Sequence, residues 1–141
     1  MLGNRKRRIE QKVPERGKKT KKIYAENDKT RDYPVVVLTN NSSASASEVL
    51  ASCFKERYKK GTVVGLRTYG KGTVQKSQNL SSGTSYKYTT EKWLTSKGKW
   101  LNREGLAPDL VVEPSDDYLN NPSFENDNVL QVAVNKIKES N

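Results

Sequence analysis

The sequence predicts an α/β fold, and three observations carry that prediction. Val35 to Leu38 form a continuous, largely β-branched apolar run; Val49, Leu50, Cys53, Phe54 and Tyr58 then recur at helical spacing; a second apolar run follows in GTVVGL from Gly61. The order strand, helix, strand, continued by a β-rich stretch and a closing helix, belongs to the α/β class.

The elements follow in turn. RRIEQKV and KKIYAEN flank the turn signal PERGKK, which reads as an exposed hairpin with little to bury. The segment 1–32 is therefore set apart as a basic hairpin or arm, and 33–141 as the body of the chain. YPVVVLTN, entered by Pro34 and closed by Asn40 and Asn41, suits a central strand covered on both faces. Lys55, Glu56, Lys59 and Lys60 lie mostly opposite the apolar positions of the next segment, giving an amphipathic helix of roughly three to four turns. GTVVGL is a buried-type strand and YGKG a glycine-flexed loop. TVQKSQ, TSYKYTT and KWLTS read as β segments, the first two joined through NLSSG, and LAPDLVVEP adds one short strand. Asp127 to Lys138 forms the last helix, its apolar face built from Val129, Leu130, Ala133, Val134 and Ile137. No internal repeat is present.

Composition narrows the chemistry. With 33% hydrophobic and 30% charged residues in 141, the core is modest or completed by something outside the chain. One cysteine, Cys53, allows neither an internal disulfide nor a Cys-rich metal framework. Histidine is absent, which removes Ser-His-Asp triads, Cys-His dyads and His-ligated zinc sites together. No run of 18 apolar residues exists, and the basic start MLGNRKRRIEQ is not followed by the apolar stretch of an export signal. The net charge of +10 invites a nucleic-acid reading, but residues 1–32 hold 12 Lys/Arg against 5 Asp/Glu, whereas 33–141 hold 14 against 11. A basic block alone gives weak, salt-sensitive phosphate binding, and no recognition motif accompanies it.

The small residues NNSSASASE at the entrance to the first helix admit two readings. They are caps, which serine favours, or they carry a nucleophile at a strand-to-helix turn. Without histidine, a serine nucleophile needs another base, and the base available is a lysine kept neutral by partial burial in a dry pocket. Lys71 stands out because it follows a buried-type strand and lies between Gly70 and Gly72, where bare backbone permits close approach. SCFK, Ser52 to Lys55, also satisfies S-x-x-K, but Ser52 sits mid-helix and no S-D-N follows, so this pair is rejected. Trp93 and Trp100 read as core or groove wall.

VVVLTNNSSASASEVLAS followed by VVGLRTYGKGTVQ closely resembles the carboxyl-terminal processing peptidases, or tail-specific proteases, with their S-A-S-A-S-E and F/Y-G-K-G-x-V-Q motifs. YTTEKWLTSKGKWLNREGLAPDLVVE is similar to the family's later region and its G-[IL]-x-P-D signature, here Gly105 to Asp109, read as a structural turn. The resemblance implies part of a ClpP/crotonase-like core with a mixed β-sheet, one long helix after the nucleophile and a C-terminal helix. It implies Ser45 as nucleophile, Lys71 as general base, Gln75 as the group that holds the lysine amine, and the backbone amide of Ala46 as half of an oxyanion hole. Ser43 and Ser47 are then caps or packing residues, and Glu48 complements the positive helix start.

Two departures matter. The family's PDZ domain and its upstream R-x-N-x-G-G stretch, source of the second oxyanion amide, are not in these residues, and the Ser-to-Lys interval is one residue longer than usual, an insertion assigned to ERYKKG. The expectation is the C-terminal half of a serine endopeptidase core that acts on polypeptides near their C-termini, in an extracytoplasmic parent protein. It uses no metal or cofactor, and its partners are the polypeptide and the missing N-terminal half and PDZ domain, not nucleic acid. The isolated chain is expected to be a poor enzyme that self-associates through exposed edges. The alternative is a non-catalytic basic module for nucleic acid or anionic surface polymers.

Overall fold

A computed structural model describes residues 8–14, 19–25 and 32–140. Most of the expected PERGKK turn, residues 15–18, lies outside them. The elements are β1 (Arg8–Pro14), β2 (Lys21–Tyr24), β3 (Val35–Thr39), α1 (Ala46–Arg57), β4 (Gly61–Gly65), β5 (Thr73–Asn79), β6 (Ser85–Leu94), β7 (Leu110–Val111), α2 (Asp116–Asn120) and α3 (Asn128–Glu139).

The α/β class is as expected, with the strand directions segregated into two sheets. A parallel sheet has the order β3-β4-β7, and an antiparallel sheet the order β2-β1-β6-β5. Parallel neighbours need a long crossover, which α1 supplies between β3 and β4. Val35 to Thr39 run in register with Gly61 to Gly65, so both strands end at the same level.

β4, not β3, holds the middle of its sheet, with Val63 and Val64 fully buried, while Leu38 on β3 is 43% exposed. The β-branched run of β3 reports helices lying on its faces, since α1 and α3 both pack against it, and says nothing of how many strands flank it. TSYKYTT and KWLTS also merge: β6 runs unbroken for ten residues. Thr89 to Lys92 contain no turn former, and pairing with β5 on one edge and β1 on the other keeps this polar stretch extended. The short helix α2, capped by the Ser115 hydroxyl accepting from the Tyr118 amide, was not foreseen. The closing helix arrives as expected, with Asp127 as its cap accepting from Leu130 N–H at 2.9 Å.

Both sheets share a small core of Ala51, Val63, Trp93, Leu101 and Leu106, with Val37, Val49 and Val74 packed against it. The loop from Thr95 to Asp109 locks onto it through backbone bonds. Asp109 donates its N–H to the Val63 carbonyl, accepts the Val63 N–H on Oδ2 and pairs with Lys55. Leu106 N–H donates to the Thr68 hydroxyl, and Thr68 N–H to the Leu106 carbonyl. The close approach requires Gly105, whose φ is +68° and where an added Cβ would sit 2.0 Å from the Thr68 carbonyl oxygen. Gly105→Ala is therefore expected to destabilise the fold by about 3 kcal/mol, because backbone must give way on both sides. A denaturant midpoint close to that of the parent sequence would refute this packing.

Candidate active site

The paired ends of β3 and β4 set the site. Ser45 and Lys71 each follow six residues after a strand end, Thr39 and Gly65 respectively, so two loops leave the parallel sheet side by side at its carboxyl edge. In α/β sheets that edge is where ligands bind. The loops are stitched together: Leu66 N–H donates to the Thr39 carbonyl at 2.8 Å and Tyr69 N–H to the Ser43 carbonyl at 2.9 Å.

Ser45 immediately precedes α1 with φ 57° and ψ −115°. An ordinary N-cap adopts extended geometry, and these angles lie outside the regions open to L-residues, at a cost of about 1–3 kcal/mol. A strained serine at a strand-to-helix turn is how a nucleophile elbow lifts its hydroxyl out of the sheet. Among the described residues the Ala46 N–H has no hydrogen-bond partner and points from the first turn of α1, where developing negative charge is favoured.

Glu48 holds this turn to the lysine loop. Its carboxylate is fully buried and accepts four hydrogen bonds: Oε2 from the amides of Ser45 and Lys71, each at 2.8 Å, and Oε1 from the Gly70 amide at 2.7 Å and the Thr68 hydroxyl at 2.5 Å. One side chain thus fixes the backbone of both candidate residues. The S-x-x-E spacing foretells the bond to Ser45, as in a capping box, but nothing local foretells the bonds across to residues 68–71.

The lysine loop is pinned on its other side by tryptophans. Trp93 Nε1–H donates to the Lys71 carbonyl at 2.6 Å, and Trp100 Nε1–H to the Gly72 carbonyl at 2.9 Å. Gly72 admits this, since a Cβ there would meet Trp100 Nε1 at 2.7 Å and the Asn102 amide at 2.8 Å. Trp93 is core and groove wall together, as expected, with the added task of fixing Lys71.

Ser45, Ala46, Lys71 and Gln75 line one cleft of about 830 Å³, floored by Val49, Cys53, Phe54 and Trp93. Gln75 reaches it from β5, just past an irregularity in the pairing at Val74. Among the described contacts, no hydrogen bond joins the side chains of Ser45, Lys71 and Gln75 to one another. Such bonds are often loose without substrate and tighten in the complex. Cys53 shares the cleft, but burial first, then the charges of Glu56 and Glu10, push its thiol up to about 11, leaving it protonated and a poor nucleophile near neutrality. The rejected pair is disposed of by contacts: Ser52 is fully buried and donates to the Val49 carbonyl, and Lys55 is paired with Asp109.

The sequence pattern of Peptidase family S41 matches residues 2–112. This chain belongs to peptidase family S41. The S41 match begins within the basic N-terminal segment and runs through the lysine loop to β7. Among S41-type relatives, a probable CtpA-like serine protease of Staphylococcus aureus is 39% identical over 102 residues, 70% of this chain and 20% of its own. Carboxy-terminal processing protease CtpB of Bacillus subtilis is 37% identical over 112 residues, 78% of this chain and 23% of its own. The chain thus spans about one fifth of the length of these relatives. The solved photosystem II D1 C-terminal processing protease superposes with a TM-score of 0.70 at 31% identity, over 91% of this chain and 32% of that one. A lipoprotein from Streptococcus agalactiae, at 20% identity and TM-score 0.71, shares the fold over 97% of this chain and 46% of its own.

Proposed function

We propose that this S41 segment carries the nucleophile and base of a serine-type endopeptidase that trims polypeptides near their C-termini. The observation that carries the reading is the strained backbone of Ser45 at a strand-to-helix turn, in one cleft with Lys71. Lys71, as the neutral amine, takes the Ser45 proton while Oγ attacks a peptide carbonyl. The amide of Ala46 stabilises the oxyanion, and the lysine ammonium then protonates the departing amine as the C–N bond breaks. Deacylation repeats the cycle with water, which loses a proton to Lys71 and releases a carboxylic acid and free Ser45. Gln75 orients the amine, so Gln75→Ala is expected to lower kcat about tenfold or more with little change in stability. Unchanged turnover in that variant would remove Gln75 from the site.

The remaining four fifths seen in the relatives is proposed to complete the oxyanion hole, since one missing donor typically costs about a hundred- to a thousandfold. The test is fluorophosphonate labelling with the adduct mapped. A complete protein containing this segment should label at Ser45, and the 141-residue chain alone slowly or not at all. Labelling at another serine would overturn the assignment, and rapid stoichiometric labelling of the chain alone would show that it builds its own oxyanion hole.

A further inference from the structure

We propose that the cleft recognises a carboxylate beside an apolar side chain, through a cationic rim that the β1–β2 hairpin and β6 build over its apolar floor. This rests on the peptidase reading of the same cleft.

The hairpin that composition marks as a solvated basic arm is a wall of the site. β1 runs antiparallel to β6 with Lys12 opposite Trp93, and to β2 with Glu10 opposite Ile23. Directly paired residues, and residues two apart on a strand, share a face, so Ile23, Glu10, Lys12 and Trp93 look into the gap between this sheet and α1. That gap is the cleft holding Ser45 and Lys71, and Lys87, further back along β6, lines it as well.

The charged residues lining the cleft are Glu10, Lys12, Lys71 and Lys87. Glu10 lies 3.6 Å from Lys12, with its side chain 14% exposed against 32% for Lys12, so the anion is the more buried of the pair. Lys87 has no ion-pair partner among the described residues. Lys71 aside, Glu10 offsets Lys12, so the mouth carries a net surplus of one positive charge, which the unpaired Lys87 supplies. Below them Val49, Phe54 and Trp93 offer nothing but apolar surface and the protonated Cys53 thiol. A side chain entering there is best apolar, and a carboxylate next to it meets exposed Lys87 and half-buried Lys12, the latter in a setting where a pair is worth more than on open surface.

The probes are internally quenched peptides with one leucine core flanked on either side by Asp, Asn or Lys, and a pair ending beside the leucine in a free or an amidated C-terminus. They are to be cleaved by a complete protein containing this segment. The expected kcat/KM ratio of Asp to Lys peptides is about tenfold, shrinking as salt rises. It should fall to about one or below in Lys12→Gln/Lys87→Gln, which leaves Glu10 unpaired, and invert more strongly in Lys12→Glu/Lys87→Glu. Because the ratio is taken within each variant, a reduced folded fraction cancels. Preference for Asp peptides assigns the carboxylate to a substrate side chain, and preference for the free terminus assigns it to the chain end; either supports the rim. A ratio unmoved by both double variants, while Ser45 still labels, overturns the rim and leaves the peptidase reading standing. Absence of both labelling and cleavage in the unmodified protein overturns the two together.

Discussion

Ser45→Ala, Lys71→Ala and Lys71→Arg will each reduce peptide cleavage by a complete protein containing this segment about a millionfold, to background, while its unfolding midpoint stays close to that of the parent. A nucleophile and its base act as a unit, so the double variant will be no worse than either single one. The arginine variant discriminates most sharply, because a guanidinium keeps its proton throughout the working range and cannot serve as a base. Activity in Lys71→Arg would rule Lys71 out, and activity in Ser45→Ala would show that the nucleophile lies elsewhere in the motif. The backbone supplies an independent check. Ser45 is held at φ 57°, where an L side chain is strained, so Ser45→Gly should be inactive yet more stable than Ser45→Ala by on the order of 1 kcal/mol. An equal or lower midpoint for the glycine variant would mean that the turn stores no strain.

Glu48→Gln will damage stability and activity together. The carboxylate accepts from Ser45, Lys71, Gly70 and Thr68 with both oxygens, whereas an amide offers one acceptor oxygen and presents its NH2 group to two of those donors. Each orphaned buried donor costs about 1–3 kcal/mol. Glu48→Ala, which orphans all four, should cost about 3–5 kcal/mol or prevent folding. Because either pair of donors, Ser45 and Lys71 on Oε2 or Gly70 and Thr68 on Oε1, includes the lysine loop, kcat should fall even at temperatures where the Gln variant is folded. Denaturant unfolding and turnover measured on one preparation separate the effects. Full activity in folded Glu48→Gln would show that the Ser45 and Lys71 loops keep their geometry without the carboxylate.

Much of this was legible in local sequence. Strand β3, helix α1, strand β4 and the closing helix announce themselves by period and by β-branched runs, which are properties of consecutive residues. The motif around Ser45 and Lys71 is equally local, and the absence of histidine from these 141 residues is what makes Lys71 the expected base. The boundaries inside β6 were not legible, because its polar middle is kept extended by partners on both edges.

Sequence by itself determined the class of the fold, the family resemblance and which side chains are chemically able to react, since those depend on residue type and spacing. Only the tertiary structure decided that Glu48 serves two loops and not merely a helix end, that Trp93 and Trp100 hold the lysine loop by its carbonyls, and that strands β1 and β2 line the cleft. Those roles arise from contacts between residues that the chain separates by 20 to more than 80 positions. Hydrogen bonds and cleft walls of that kind depend on where strands pair, and pairing is a property of the folded whole that no local pattern encodes.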